Sequence, residues 1–325
     1  MDSELCLTVA IPTHNGAERL PQVLDRLKLQ QFPDSLRWEV LVVDNASCDR
    51  TAAIVRTYQT TWIAGILLRY CFEPRQGIAF ARQKAVEQAQ GDWVGFLDDD
   101  NWPAVSWVAA AAQFAQQHPQ AGAFGGQIHA HFDQAPPPNF ERIQSFFAIR
   151  ERGPEAHRYQ PQMLALPPGA GLVIQRHAWL TAVPSQLQHA GRGGNDFEAL
   201  LYLHRASWEI WYAPSLEIDH HIPDARLQPE SMHPLLRQAS FCIYRLRLIG
   251  ITHWQVPLLF VRLVAGGLKR ALYHAVKYRL RVWQDPMLAY ELAFYLYSAF
   301  SPFYCLWQSI PNFSLSAAIS TAQTT

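Results

Sequence analysis

Acid is missing from one long stretch of this chain. No Asp or Glu occurs between Ser231 and Gln284, where nine cations fall: Arg237, Arg245, Arg247, Arg262, Lys269, Arg270, Lys277, Arg279 and Arg281. The formal net charge is zero, so the remainder carries 18 basic against 27 acidic residues. Cysteine is scarce as well. The five (Cys6, Cys48, Cys71, Cys242, Cys305) are odd in number and form no CxxC pair. That speaks against a disulfide framework and for free, mostly buried thiols in a reducing compartment. The start, Met1-Asp2-Ser3-Glu4, is acidic and runs directly into a strand-like segment, so no signal peptide is expected. There is no internal repeat, and no low-complexity tract beyond Pro136-Pro137-Pro138. At 325 residues and 49% hydrophobic, the chain suffices for one large domain or a domain with an appendage.

What is present begins with Phe96-Leu97-Asp98-Asp99-Asp100-Asn101. Three carboxylates follow an apolar run, Trp93 to Leu97, that reads as a buried strand. Consecutive carboxylates repel one another, so something positive must offset them at a strand end. A hard divalent cation with a phosphate completing its shell does this; a solvated acidic turn capping the next helix is the plain alternative. The run does not stand alone. Strand-like segments at Leu5–Ile11, Trp38–Val43, Ile66–Cys71 and Trp93–Leu97 alternate with helical spacings at Glu18–Gln30, Asp49–Tyr58, Gly77–Ala89 and Val105–Gln117. The alternation predicts an α/β fold, a doubly wound, mostly parallel sheet with helices on both faces. Ligands of such sheets bind beyond the carboxyl ends of the strands. Polar clusters follow three of those ends, at Thr13 to Asn15, at Asp44 and at Asp98 to Asp100.

Past Pro119 the pattern turns irregular and aromatic. A strand is expected at Ala123–His131, a helix at Phe140–Arg150, and a small-residue loop at Pro167 to Gly171 leading into a strand. A glycine-rich loop from Gly191 then opens a helix near Asn195-Asp196 that runs to His204. Glu209–Tyr212 reads as a strand ending at Pro214, and Leu216–Ile218 as a second one leading to His220-His221. These divisions give a catalytic unit over 1–231, with a nucleotide half at 1–118 and an acceptor half at 119–231. A basic, aromatic helical extension follows at 232–311, and a disordered tail at 312–325.

Taken in order, Val9-Ala10-Ile11-Pro12-Thr13-His14-Asn15, Val42-Val43-Asp44-Asn45-Ala46-Ser47, Gly77 to Arg82, Phe96 to Asp100 and Gly193 to Glu198 resemble the inverting family 2 glycosyltransferases of GT-A fold. The similarity covers about residues 5 to 225, and the C-terminal segment resembles that of bacterial exopolysaccharide transferases. The resemblance implies that Thr13 and Asn15 line a nucleotide pocket and that Asp44 accepts hydrogen bonds from base or ribose. As a plain alternative, Asp44, Asn45, Ser47 and Asp49 sit where a helix N-terminus needs caps. Arg75 and Arg82, either side of Gly77, are placed to reach a diphosphate, whose oxygens the guanidinium fork matches. Gln83 stands where the family usually has Asn.

Asp98-Asp99-Asp100 matches the family's DxD. The implied cofactor is Mg²⁺ or Mn²⁺, which neutralises the departing nucleoside diphosphate. Asp100 is the expected direct ligand, Asp98 faces ribose or a water of the metal shell, and Asp99 belongs to the nucleotide side. Asp196 is the expected general base, with Asn195 in place of the usual Glu; a helix N-cap role is compatible with it. His220 is expected near the metal or diphosphate. Gly126, Gly169, Ala170, Gly171 and His221 are expected on the acceptor side. The implied partners are a nucleotide-diphosphate sugar, a UDP-sugar first, and a glycan or polyprenyl-linked acceptor. No nucleic acid is expected.

The cations of 231–284 are interleaved with Trp254, Tyr273, Tyr278 and Trp283, a composition suited to an anionic membrane surface. Met287–Trp307 approaches the length of a membrane span, but Glu291, Ser298, Ser301, Pro302 and its tyrosines favour an in-plane helix. The expectation is peripheral attachment at the cytoplasmic face of the inner or plasma membrane; a packed helical subdomain is the alternative. Two rival functions remain at this point. A nucleotidyltransferase calls for a glycine-rich basic loop after the first strand, which Pro12-Thr13-His14-Asn15 does not resemble. A non-catalytic polysaccharide-assembly subunit could keep the fold and lose the base.

Overall fold

The computed structural model of the chain describes residues 6–187 and 194–309. The predicted alternation is present: β1 (Leu7–Thr13), α1 (Leu20–Lys28), β2 (Trp38–Asp44), α2 (Thr51–Thr60), β3 (Leu67–Phe72), α3 (Ile78–Gln88) and β4 (Trp93–Phe96). All three pairings among these strands are parallel. β1 and β2 are buried at every position, because helices cover both faces of the sheet. α1 lays Leu20, Val23, Leu24 and Leu27 on one face, with Pro21 in the first turn where no amide donor is needed.

The second half is a mixed sheet. β5 (Asn101–Pro103), α4 (Trp107–Gln117), β6 (Ala121–Phe132), β7 (His157–Arg158), β8 (Val173–Gln175), α5 (Arg176–Ala182), α6 (Asn195–Arg205) and β9 (Glu209–Ile222) complete the sheet-bearing unit. The strand order is β3-β2-β1-β4-β8-β6-β9-β5, with β7 on β9. β8 runs antiparallel between β4 and β6. One core layer joins α1, α2 and α4 to the sheet, and another joins α3, α5 and α6 to its opposite face.

Two sequence expectations change here. Phe140–Arg150 is not a helix but two short 3₁₀ turns, Phe140–Arg142 and Gln144–Phe147, followed by Ala148 at φ +62°. The spacing of Phe140, Ile143 and Phe147 buries those side chains, but Arg150 pairs with Ile128 of β6 and pulls the segment extended. The two short strands expected around Pro214 are one strand, β9. Proline lacks an amide donor, yet it is accommodated because the β6–β9 register shifts between Gly125 and Gln127. Gly126 lies at this bulge with its Cα against Leu216, where any side chain would collide.

Beyond it the chain is helical: α7 (Pro229–Phe241), α8 (Ile243–Leu248), α9 (Val256–Tyr278), α10 (Arg281–Gln284) and α11 (Pro286–Ser309). This unit shares a core with the sheet-bearing unit. Met232, Leu236, Met287 and Tyr290 pack with Phe140, Ile143, Phe147 and Ile222, and Arg142 pairs with Glu291 at 2.7 Å. Among the described residues no helix is long and apolar enough to cross a membrane. The expected tail at 312–325 and most of the glycine-rich loop at 191–193 lie outside the described residues.

Candidate active site

A cavity of about 680 Å³ opens beyond the carboxyl ends of β1, β2 and β4. Thr13, Asn45 and Asp98 to Asp100 line one side; Gly169, Ala170, Asp196 and His220 line the other. The helical unit supplies Ser231 and Leu235.

The three consecutive carboxylates diverge to three sets of partners. Asp99 is nearly buried and accepts a bidentate pair from Arg19, Nε and Nη2 both at 2.9 Å, and a 2.6 Å hydrogen bond from Thr13 Oγ1. Its oxygens therefore lock the loop after β1 to the loop after β4. Asp98 Oδ1 accepts from Arg82 Nη2 at 3.3 Å. Desolvation pushes the Asp98 carboxyl above its ordinary range, with Asp100 adding to the shift and Arg82 opposing it. Asp100 Oδ2 lies 3.5 Å from His220 Nε2 and 3.2 Å from Arg226 Nη1. Desolvation would raise Asp100 too, but His220, Arg226 and Arg19 outweigh it and hold that carboxyl below its ordinary range.

His220 is buried, and its Nδ1 donates to the Phe147 carbonyl at 2.9 Å. That bond fixes the ring's orientation and turns Nε2 toward Asp100, where a metal-binding ring nitrogen would stand. Arg226 Nη1 donates to the same Nε2 at 3.0 Å, so a guanidinium sits between the two donors. Among the described residues no cluster of three or more His, Cys, Asp or Glu side chains converges to hold a metal. The donor set fits a divalent ion held by Asp100 and His220 and completed by diphosphate oxygens and water. Asp98, expected to face ribose or a water of the metal shell, is turned toward Arg82.

Asp196 lies in the first turn of α6, where Gly194 at φ +78° caps the helix through its carbonyl. The carboxylate is thus free of capping duty. Oδ2 accepts the Gly169 amide at 2.9 Å and Oδ1 pairs with Arg82 Nη1. Arg82, buried and lying over the Phe96 ring, bridges Asp98 and Asp196 across the cavity. A Cβ at Gly169 would meet the ends of both the Arg82 and Asp196 side chains, so a larger residue there would displace that pair.

Other expected residues play different parts. Asn15 sits at φ +49°; its amide donates to Ser47 Oγ and its Oδ1 accepts from the Cys48 amide. Asp44 is buried, accepting from the Tyr70 hydroxyl at 2.8 Å and from the Ser47 amide at 2.9 Å, and it does not line the cavity. Asp49, not Asp44, receives the Thr51 amide at the start of α2. Gly77, at φ +139°, donates to Asn45 Oδ1. Arg75 points away from the cavity, clamped on Glu73 and over Phe80. His221 faces the opposite side of β9 from His220, as strand alternation dictates; it stacks on Trp102 and bonds Asp133. Gly171, at φ +67°, packs on Ile218 outside the cavity, and Gly126 is at the bulge, so of the expected acceptor-side residues only Gly169 and Ala170 line it.

Sequence reasoning gave no role to Arg19, Arg226 or the Phe147 carbonyl; lone cations and a backbone oxygen carry no motif. Asn45 stood inside a quoted motif and could have been found. Its side-chain amide donates to the Glu73 and Arg75 carbonyls, tying the loops after β2 and β3 together.

Sheet order, strand-end carboxylates and cavity together define the GT-A class of fold. The chain belongs to glycosyl transferase family 2, with residues 8–171 matching that family. It is 24% identical over 225 residues to the succinoglycan biosynthesis protein ExoM of Rhizobium meliloti, covering 68% of this chain and 69% of ExoM. Over 103 residues it is 37% identical to the glycosyltransferase AglE of Haloferax volcanii; the match takes in 31% of this chain and 33% of AglE, about a third of that relative's length. The mannosyltransferase PcManGT from Pyrobaculum calidifontis, in complex with GDP-Man and Mn²⁺, superimposes with a TM-score of 0.57 at 20% identity over 93% of this chain and 87% of that one. TarS 1-349 of S. aureus in complex with UDP gives 0.51 at 18% identity, over 94% and 92%. At these identities the likeness establishes the fold.

Proposed function

We propose that this chain transfers a sugar, with inversion, from a nucleoside-diphosphate sugar to a glycan or polyprenyl-linked acceptor. The observation that carries the reading is Asp196 facing the same cavity as Asp98 and Asp100 from a separate element, with Arg82 spanning the gap. Direct displacement requires a base on the acceptor side and positive charge on the leaving-group side. Asp196 takes the proton of the acceptor hydroxyl as its oxygen bonds to the anomeric carbon, and the bond to the diphosphate breaks with its electrons leaving on oxygen. The Gly169 amide and Arg82 hold Asp196 in place. Arg82 and Arg226 meet the charge that develops on the diphosphate. Mg²⁺ or Mn²⁺, when held by Asp100 and His220, supplies further neutralisation of that charge. A UDP-sugar is the favoured donor; TarS structures contain UDP and UDP-GlcNAc, and PcManGT contains GDP-Man.

Calorimetric titration of UDP and GDP with Mn²⁺ and with EDTA tests donor and metal together. UDP is expected to bind with Mn²⁺ and to lose at least about tenfold in affinity, about 1.4 kcal/mol, under EDTA. Equal affinity in both would remove the metal from the site, and failure of both nucleotides to bind would overturn the reading.

A further inference from the structure

α9 has two unlike sides. Its inner side packs on α11 through Gly267, Ala271 and His274, all buried, and so closely that a Cβ on Gly267 would come within 2.6 Å of Ala299. Its outward side carries Leu258, Val261, Leu268, Leu272 and Val276 at helical spacing, 46% to 68% exposed. Trp254 before the helix and Trp283 in α10 extend this apolar stripe to 75% and 84% exposure. Every exposed charged residue from Val256 to Trp283 is a cation: Arg262, Lys269, Arg270, Lys277, Arg279 and Arg281. Stability does not explain a stripe of large apolar side chains in water; an apolar patch rimmed by charge marks a docking surface.

We propose that the outward face of α9 and α10 docks on an anionic lipid bilayer, lying in the headgroup plane. The charge decides the occupant. A helix with an apolar face, a basic flank and tryptophans at its ends combines hydrophobic insertion with attraction to anionic lipid. A symmetric interface between two copies would instead set the same cations against one another, because a two-fold axis repeats each patch. No described helix is suited to cross the bilayer, so the attachment is in-plane and reversible. α7, which lines the cavity with Ser231 and Leu235, stacks Phe241 on Tyr304 of α11, and α11 carries α9. Docking therefore holds the cavity within one helical unit of the membrane, which suits the lipid-linked acceptor of the proposed function; the docking itself does not rest on that function.

Deleting the segment is a poor test, since α7 and α11 share the sheet-bearing unit's core. Exposed point variants of the full chain serve better. Co-sedimentation with phosphatidylcholine vesicles containing roughly a third phosphatidylglycerol, against pure phosphatidylcholine, should show binding only to the anionic vesicles, weakened by salt. Each cation removed should lower the partition about fivefold, so Arg262→Gln, Lys269→Gln and Arg281→Gln together should lower it about a hundredfold. Leu272→Ser with Trp283→Ser should abolish the salt-resistant fraction. All five side chains are exposed, so the melting temperature should not move. The proposal is overturned if the intact chain ignores anionic vesicles at low salt, or if the variants bind them as the parent does. It is also overturned if Leu272→Ser with Trp283→Ser dissociates a dimer in sedimentation while vesicle binding persists; the face then joins two copies. Loss of UDP binding with intact vesicle binding would sink the proposed function and leave this one standing.

Discussion

Around Thr13, Asp44 and Asp99 the charged groups close on each other within a single locked frame. Arg19 and Thr13 saturate Asp99, Tyr70 and Ser47 hold Asp44, and Asn45 ties the loops after β2 and β3. Asp98, Asp100 and Asp196, which face the cavity, are instead each matched by an arginine that an anionic ligand could claim. Arg82 spans Asp98 and Asp196, and Arg226 stands between Asp100 and His220. The difference separates scaffold from chemistry. Groups satisfied by their own neighbours set loop geometry, whereas Asp98, Asp100 and Asp196 share arginines that themselves line the cavity, within reach of an anionic ligand.

The largest effect should come from the cavity-facing carboxylates. Asp196→Asn keeps the Gly169 contact geometry and removes the base, so transfer should fall by about 10²–10⁴ in kcat. Affinity for UDP with Mn²⁺ should stay near the parent value, because a base acts in the transition state and not in donor binding. Retention of most turnover would send the search elsewhere. Glu198, about half a helical turn on from Asp196, is buried and does not line the cavity, so it is a poor substitute.

A smaller effect is expected in the locked frame. Arg19→Ala strips the bidentate partner from Asp99, which keeps only Thr13. A fully buried pair broken this way would cost several kcal/mol, but Arg19 is 46% exposed and solvent screens it. The loss should be about 1 kcal/mol, read as a drop of about 2 °C in melting temperature. Because Asp99 is spent on scaffold, Mn²⁺ affinity should change little. A metal defect larger than the stability defect would place Asp99 among the ligands and erase the distinction between the two groups.

What the sequence disclosed follows the same division. Buried parallel strands read as apolar runs that end in polar clusters, so β1, β2, β4 and the cavity rim were legible from residues near in sequence. The direction of each carboxylate was not. Asp98, Asp99 and Asp100 share one motif, yet Arg82, Arg19 and Arg226 reach them from three different elements. The expected helix at Phe140–Arg150 failed because apolar spacing cannot show that Ile128 captures Arg150. The Pro214 break failed because β9 itself bulges at 213–216 opposite Gly126 alone, so no ladder bond is asked of the proline. Arg75 and His221 matched the family pattern in position but were claimed by Glu73 and by Trp102 and Asp133.

The smallest expected effect concerns Asp44. The Tyr70 hydroxyl donates to Asp44 Oδ2, and desolvation together with that carboxylate pushes the phenol from 10.0 up to about 12. Tyr70→Phe removes one hydrogen bond and should lower stability by about 0.5–1.5 kcal/mol at neutral pH. The sign with pH follows from the raised value. The bond's contribution is fully present below pH 10, where the phenol is protonated in both folded and unfolded chains, and it is lost as pH rises toward about 12. The gap between parent and variant in urea melts should therefore be flat from neutral pH to about 10 and close above it. If Asp44 also receives the nucleotide, freeing one of its oxygens should change UDP affinity a few-fold; a stability loss with unchanged UDP affinity would make Asp44 part of the scaffold, alongside Asp99.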